Sequence, residues 1–219
     1  MSTRCSVAAP RAAAFYDYPG AKNVERRGEL LTILSSVFWG SSFVAIKLGL
    51  SYSGVYWFLL ERFIAASLVG LAMLFVWRGI DSSYYRRSDS WILGVLNAAG
   101  FILQYLALTL TSPGRTALLV NLNVVVVALL SGYFLQEKIG GSKLLALLTG
   151  SLGLFLVTAH GDLGHPGGGQ SVGDVLAFLA GLVWSFYIIK VRQLVTRSVI
   201  STSQLTVATL VSTTLALSV

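Results

Sequence analysis

The sequence predicts an all-α fold, a polytopic helical membrane protein of about seven transmembrane helices, and three observations predict it. Hydrophobic residues make up 55% of the 219 and charged residues only 11%, whereas soluble domains carry roughly a quarter charged residues. The apolar residues fall in stretches of about 20, the length that a hydrocarbon core roughly 30 Å thick requires. The charges sit between those stretches and not along one face. A net charge of +7 therefore reads as a set of topology signals. The lipid bilayer is the expected partner, and nucleic acid is not.

Taken in order, residues 1–28 contain Pro10, Pro19, Gly20 and several Arg without a periodic apolar face, and read as a disordered tail. The first apolar stretch follows that tail and holds Lys47, so it reads as a retained helix and not as a cleaved signal peptide. The predicted helices are Leu30 to Leu50, Val55 to Trp77, Trp91 to Leu110, Thr116 to Leu135, Lys143 to Ala159, Asp174 to Leu194 and Thr202 to Val219. Basic residues alternate between their connections: Arg26 and Arg27, then Arg78, Arg86 and Arg87, then Lys138 and Lys143, then Arg197. The intervening loops hold Arg115 as their only Lys or Arg. By the positive-inside rule the N-terminus is cytoplasmic in a multi-pass protein of the cell membrane. Residues 161–173, with Pro166 and the Gly167 to Gly169 run, then read as an external Gly-rich linker. The single cysteine, Cys5, supports neither an intrachain disulfide nor a cysteine metal site, and no cofactor or metal is expected.

A weak repeat appears at a spacing of about 145 residues: Glu29 matches Asp174, Leu31 Leu176, Leu34 Leu179, Trp39 Trp184 and Lys47 Arg192. An odd number of spans, roughly five, separates the copies, so the second enters the membrane from the opposite side. Inverted repeats of this kind are typical of secondary transporters, with the substrate near the midplane at the repeat interface.

The run Phe38-Trp39-Gly40-Ser41-Ser42-Phe43 with Lys47, then Glu61-Arg62-Phe63, Ala107-Leu108-Thr109-Leu110-Thr111-Ser112 and Phe134-Leu135-Gln136-Glu137-Lys138, resembles the EamA domain of the drug/metabolite transporter superfamily. Gly173-Asp174 and Trp184 extend the resemblance into the second copy. It implies a five-plus-five arrangement of helices that moves small metabolites by alternating access. On that pattern residues 29–160 form the first repeat and 174–219 the start of the second, inverted one. The chain would then be C-terminally truncated, its pathway completed by a homo-oligomer or by a missing C-terminal half. A second departure is Asn123, where the family often carries a proline; without it there is less reason for a kink.

Ionisable groups inside a span are costly and mark functional candidates. Lys47, Glu61 and Arg62 fall near the same membrane depth, where they are expected to meet. Such a cluster binds a zwitterion, with Arg62 or Lys47 on the anion and Glu61 on the cation, or else forms a compensating structural ion pair. Asn97, Gly100, Phe101 and Gln104 share one stripe; Asn97 suits a tie between helices and Gln104 a cavity. Asn121 and Asn123 lie about 200° apart around a helix, so at most one of them, Asn121 being the candidate, faces a ligand. Trp39 and Trp184 wall a cavity or pack a core. Glu137 and Lys138 suit a structural boundary, and His160 and His165 carry no assigned role. No phosphate loop, nucleophile elbow or paired-carboxylate motif supports an enzyme. The expectation is a transporter of small metabolites, amino acids or drug-like compounds among them, with a non-transporting remnant or a partner-requiring subunit as the alternative.

Overall fold

The computed structural model describes residues 21–77, 79–134, 147–153, 168–197 and 201–219, together with residues 141 and 145. Its named helices are α1 (Ala21–Gly49), α2 (Val55–Trp77), α3 (Ser83–Arg86), α4 (Ser88–Leu110), α5 (Pro113–Asn121), α6 (Asn123–Phe134), α7 (Gly168–Arg197) and α8 (Thr202–Leu217). Among the described residues there is no strand. Among the described residues five spans are long and apolar enough to cross a bilayer: Gly28–Gly49, Val55–Trp77, Ser88–Leu110, Pro113–Ser131 and Ser171–Thr196. The 16 residues of α8 rise about 24 Å. The span expected from Lys143 to Ala159 lies largely outside the described residues, as do Glu137, Lys138, His160 and His165.

The chain divides into two units, Met1–Ser42 and Phe43–Val219, and α1 runs through the boundary. In the first unit α1 begins at Ala21, not near Leu30, so residues 21–28 are helical where a disordered tail is expected. The segment is rich in Ala, Lys, Glu and Arg, all good helix formers that propagate a turn once a long helix follows. Residues 1–20 lie outside the described residues.

The second unit differs from a soluble domain in what it leaves outside. Its interior holds an apolar core that includes Phe43, Leu59, Phe63, Phe101, Tyr105 and Trp184, with polar residues such as Ser67, Ser90, Asn97, Gln104, Thr116, Ser212 and Thr213 buried among the helices, while Leu68, Phe75, Val95 and Val175 are exposed and Trp77 is 73% exposed. Apolar side chains on the outer faces and polar ties between helices suit a hydrocarbon solvent. Hydrogen bonds then join the helices: Asn97 Nδ2 donates to Thr213 Oγ1 at 3.0 Å, Ser67 and Thr214 hydroxyls meet at 2.8 Å, and Gln204 donates to the Gly79 carbonyl at 2.7 Å. The pairs Gly79 with Gln204 and Ser67 with Thr214 set α8 antiparallel to α2.

Glycines set the closest approaches. A Cβ on Gly94 would lie 2.8 Å from the Ser212 backbone, and one on Gly181 would lie 2.9 Å from the Val120 carbonyl oxygen, so α4 meets α8, and α5 meets α7, nearly backbone to backbone. Gly173 abuts Leu110 and Thr111 in the same way. That contact explains a further departure: α7 starts at Gly168, inside the expected linker, because docking against α4 outweighs the poor helix propensity of glycine. Residues 154–167 lie outside the described residues.

The expected fourth helix is broken at Leu122 into α5 and α6, although Asn123 replaces proline. Two side chains engage the backbone there. Asn121 Nδ2 donates to the Ala117 carbonyl at 2.7 Å, the carbonyl that the Asn121 N–H would claim in a regular helix, and Ser185 Oγ donates to the Asn123 carbonyl at 3.4 Å.

Candidate functional site

On α2, Leu59, Phe63 and Ser67 recur every fourth residue and form the buried stripe. Arg62 flanks that stripe. Its Nη1 donates to the Tyr105 hydroxyl of α4, and its guanidinium carbon lies 5.6 Å from the Phe101 ring centroid. Seven residues from the start of α2 place this cation about 10 Å into the span, where a charge is expensive unless it is engaged. Among the described residues no carboxylate pairs with it.

Aromatic rings continue inward from Arg62. Phe101 packs edge-on against Phe63 at 5.0 Å and Trp184 at 4.9 Å, and Trp184 packs on Tyr187 at 5.4 Å. Edge-to-face contacts of this kind fix ring orientation and leave faces available to a cation or a flat ligand. Gly100 makes room for the indole: a Cβ there would lie 3.2 Å from the Trp184 ring. Gln104, one turn further along α4, is 2% exposed, and its Oε1 has no hydrogen-bond partner among the described residues.

The structure does not assemble the expected three-charge cluster. Lys47, in the last turn of α1, donates its Nζ to the Leu108 carbonyl and, at 3.0 Å, to the Thr111 carbonyl. These carbonyls end α4, where the helix has no N–H of its own left to offer and the dipole favours a cation. Lys47 is therefore a helix cap, and it is not available to Arg62 or Glu61. Glu61, one residue and about 100° from Arg62, is exposed and has no ion-pair partner among the described residues. Asn121 spends its amide on its own helix. Trp184 is buried in the core, and Trp39 is 42% exposed and belongs to the first unit.

Several participants were not singled out from sequence. Tyr105, fully buried, is the partner of Arg62. Arg115 and Asp174 form a forked ion pair, and Asp89 at the start of α4 pairs with Lys190 of α7 at 2.8 Å. The solitary Arg115 in the otherwise uncharged loop between α4 and α5 was the available signal, because a lone charge at a span boundary needs a partner. Outside the spans, Asp81 accepts from Ser83, side chain first and then backbone, which holds its carboxyl below the usual range. Among the described residues no three His, Cys, Asp or Glu side chains converge on a metal position. An apolar groove of about 680 Å³ between α2 and α8, lined by Ala66, Gly70, Met73, Thr206 and Leu210 among others, contains none of the candidate residues.

Long apolar helices with exposed apolar faces, and a cation seated against aromatic rings inside a span, define a polytopic helical membrane protein embedded in the lipid bilayer. The chain belongs to the EamA-like transporter family, whose model matches residues 26–159. It is 29% identical over 163 residues to an uncharacterized transporter of Archaeoglobus fulgidus, covering 72% of this chain and 55% of that protein. It is 28% identical over 160 residues to the uncharacterized transporter YyaM of Bacillus subtilis, covering 69% of this chain and 51% of that protein. The chain thus spans about half the length of the curated relatives it matches. No solved structure matches.

Proposed function

We propose that this chain forms part of a secondary transporter of small, carboxylate-bearing metabolites in the cell membrane, working by alternating access with Arg62 as the anion anchor. The single observation that carries the reading is the Arg62 guanidinium, held by Tyr105 and Phe101 inside a span, with no carboxylate partner among the described residues. A guanidinium fork set within a span matches a carboxylate in geometry as well as charge, and a ligand supplying one would complete the pairing. Gln104 offers a neutral acceptor on the neighbouring helix, suited to an amine or hydroxyl of the same cargo.

Residues 29–160 then act as one repeat and residues 174–219 as the start of its inverted partner. The meeting of two helix ends supports this: Lys47 in the last turn of α1 and Asp174 near the start of α7 both contact Thr111. The cytoplasmic N-terminus rests on the alternating basic loops.

Reconstitution in liposomes tests the reading with a panel of amino acids and organic acids. Uptake of at least one carboxylate is expected, and Arg62→Gln should raise its KM by roughly tenfold to a hundredfold, the worth of a charged hydrogen-bond pair. Arg62→Lys, which keeps the charge without the fork, should fall between. Flux that ignores Arg62, or no flux for any compound in the panel, would sink it and favour the rival reading of a subunit that needs a partner chain.

A further inference from the structure

At the end of the second unit that carries the α4 to α5 turn, one carboxylate gathers contacts from both flanking elements. Asp174 of α7 receives Arg115 as a fork, Nε to Oδ1 at 3.3 Å and Nη2 to Oδ2, and its Oδ1 also accepts the Thr111 hydroxyl at 3.2 Å. The Thr111 carbonyl in turn accepts from Lys47. One run of contacts therefore joins the ends of α1, α4, α5 and α7.

The Arg115 and Asp174 side chains are 20% and 23% exposed, accessible from that end of the molecule but not immersed in solvent. A fully exposed ion pair would hold little. A bidentate, partly buried pair that shares its acceptor with a hydroxyl holds considerably more. Two buried polar atoms close to this turn in sequence have no hydrogen-bond partner among the described residues: Thr116 Oγ1, one residue beyond Arg115, and Gln104 Oε1, two turns back along α4. Buried oxygens of this kind ordinarily bond to protein or ordered water.

We propose that the Arg115, Asp174 and Thr111 contact is a gate, closed in this structure, whose opening connects the interior around Thr116 and Gln104 to the solvent at the α4 to α5 end. The assignment rests on the alternating-access reading above, since only a protein that opens at one end at a time needs such a closure. At the opposite end α7 is held by the separate Asp89 to Lys190 pair, which serves as the internal comparison.

The experiment reads access and needs no cargo. In a Cys5→Ser background, Thr116→Cys is labelled with a membrane-impermeant maleimide applied to the α4 to α5 face of proteoliposomes. Asp174→Asn and Arg115→Gln should each accelerate labelling about tenfold, one lost charged hydrogen bond at roughly 1.4 kcal/mol per decade. Lys190→Gln should leave it unchanged. Because either single variant can fail to fold, a charge swap carries the test independently: Arg115→Asp with Asp174→Arg returns an ion pair to the same place. The swap should label as slowly as the Thr116→Cys parent. Unchanged labelling in folded single variants, or fast labelling in a folded swap, overturns the gate. Flux with no labelling change would sink the gate alone, whereas labelling changes without flux would sink the transport reading.

Discussion

Lys47 and Arg62 are both cations inside apolar helices, and the sequence treats them alike. Their surroundings separate them. Lys47 is compact and mobile on its stem, and it finds two carbonyls at the end of α4, a partner set with no sequence signature because backbone oxygens occur everywhere. Arg62 finds a phenol and a ring. Replacement of Lys47 by Met should accordingly act on stability, costing about 1 to 3 kcal/mol through two carbonyls left bare. Thermal unfolding in detergent reads that loss, and an unchanged substrate profile would accompany it. A shift in substrate preference without a loss of stability would return Lys47 to the binding site.

At the scale of elements, the long helices were legible because their apolar length is set by the bilayer, and α2 runs from Val55 to Trp77 as read from sequence alone. The failures have a common cause. The helical start of α7 at Gly168 and the break at Leu122 both depend on contacts with other helices, Gly173 on Leu110 and Ser185 on Asn123, that composition cannot encode. The four residues of α3, held by the buried Tyr84 ring and by the Ser201 N–H donating to the Tyr84 hydroxyl, were too short to carry a periodic signal. The close glycine crossings lead to a sharp expectation. Gly94→Leu and Gly181→Leu should each cost well over 1 to 3 kcal/mol, since the obstructing atoms are backbone and cannot rotate away. Yield of monodisperse protein is the measure, and Gly40→Leu, with nothing within 4 Å of its Cβ position, is the control.

For the molecule as a whole, large apolar side chains lie exposed as well as buried, and this follows from composition once the solvent is identified as lipid. Which polar groups face one another does not follow, because the Arg115 to Asp174 pair spans 59 positions of sequence. Topology makes a separate prediction. Single cysteines introduced at Ser51 and Gly114 should react with an impermeant maleimide from the outside of intact cells, and one at Ser82 only after permeabilisation. The reverse pattern would overturn the cytoplasmic N-terminus while leaving the helix packing untouched.

The turn at Leu122 has a mechanical meaning. Leu122 keeps helical dihedrals, its N–H still reaches the Leu118 carbonyl at 3.2 Å, and the Val126 N–H reaches the Leu122 carbonyl at 3.3 Å, so the ladder bends there without being cut. The nine residues of α5 are clasped beside that bend by α7, where a Cβ on Gly181 would meet the Val120 carbonyl oxygen at 2.9 Å. The bend is thus a seat for the neighbouring helix.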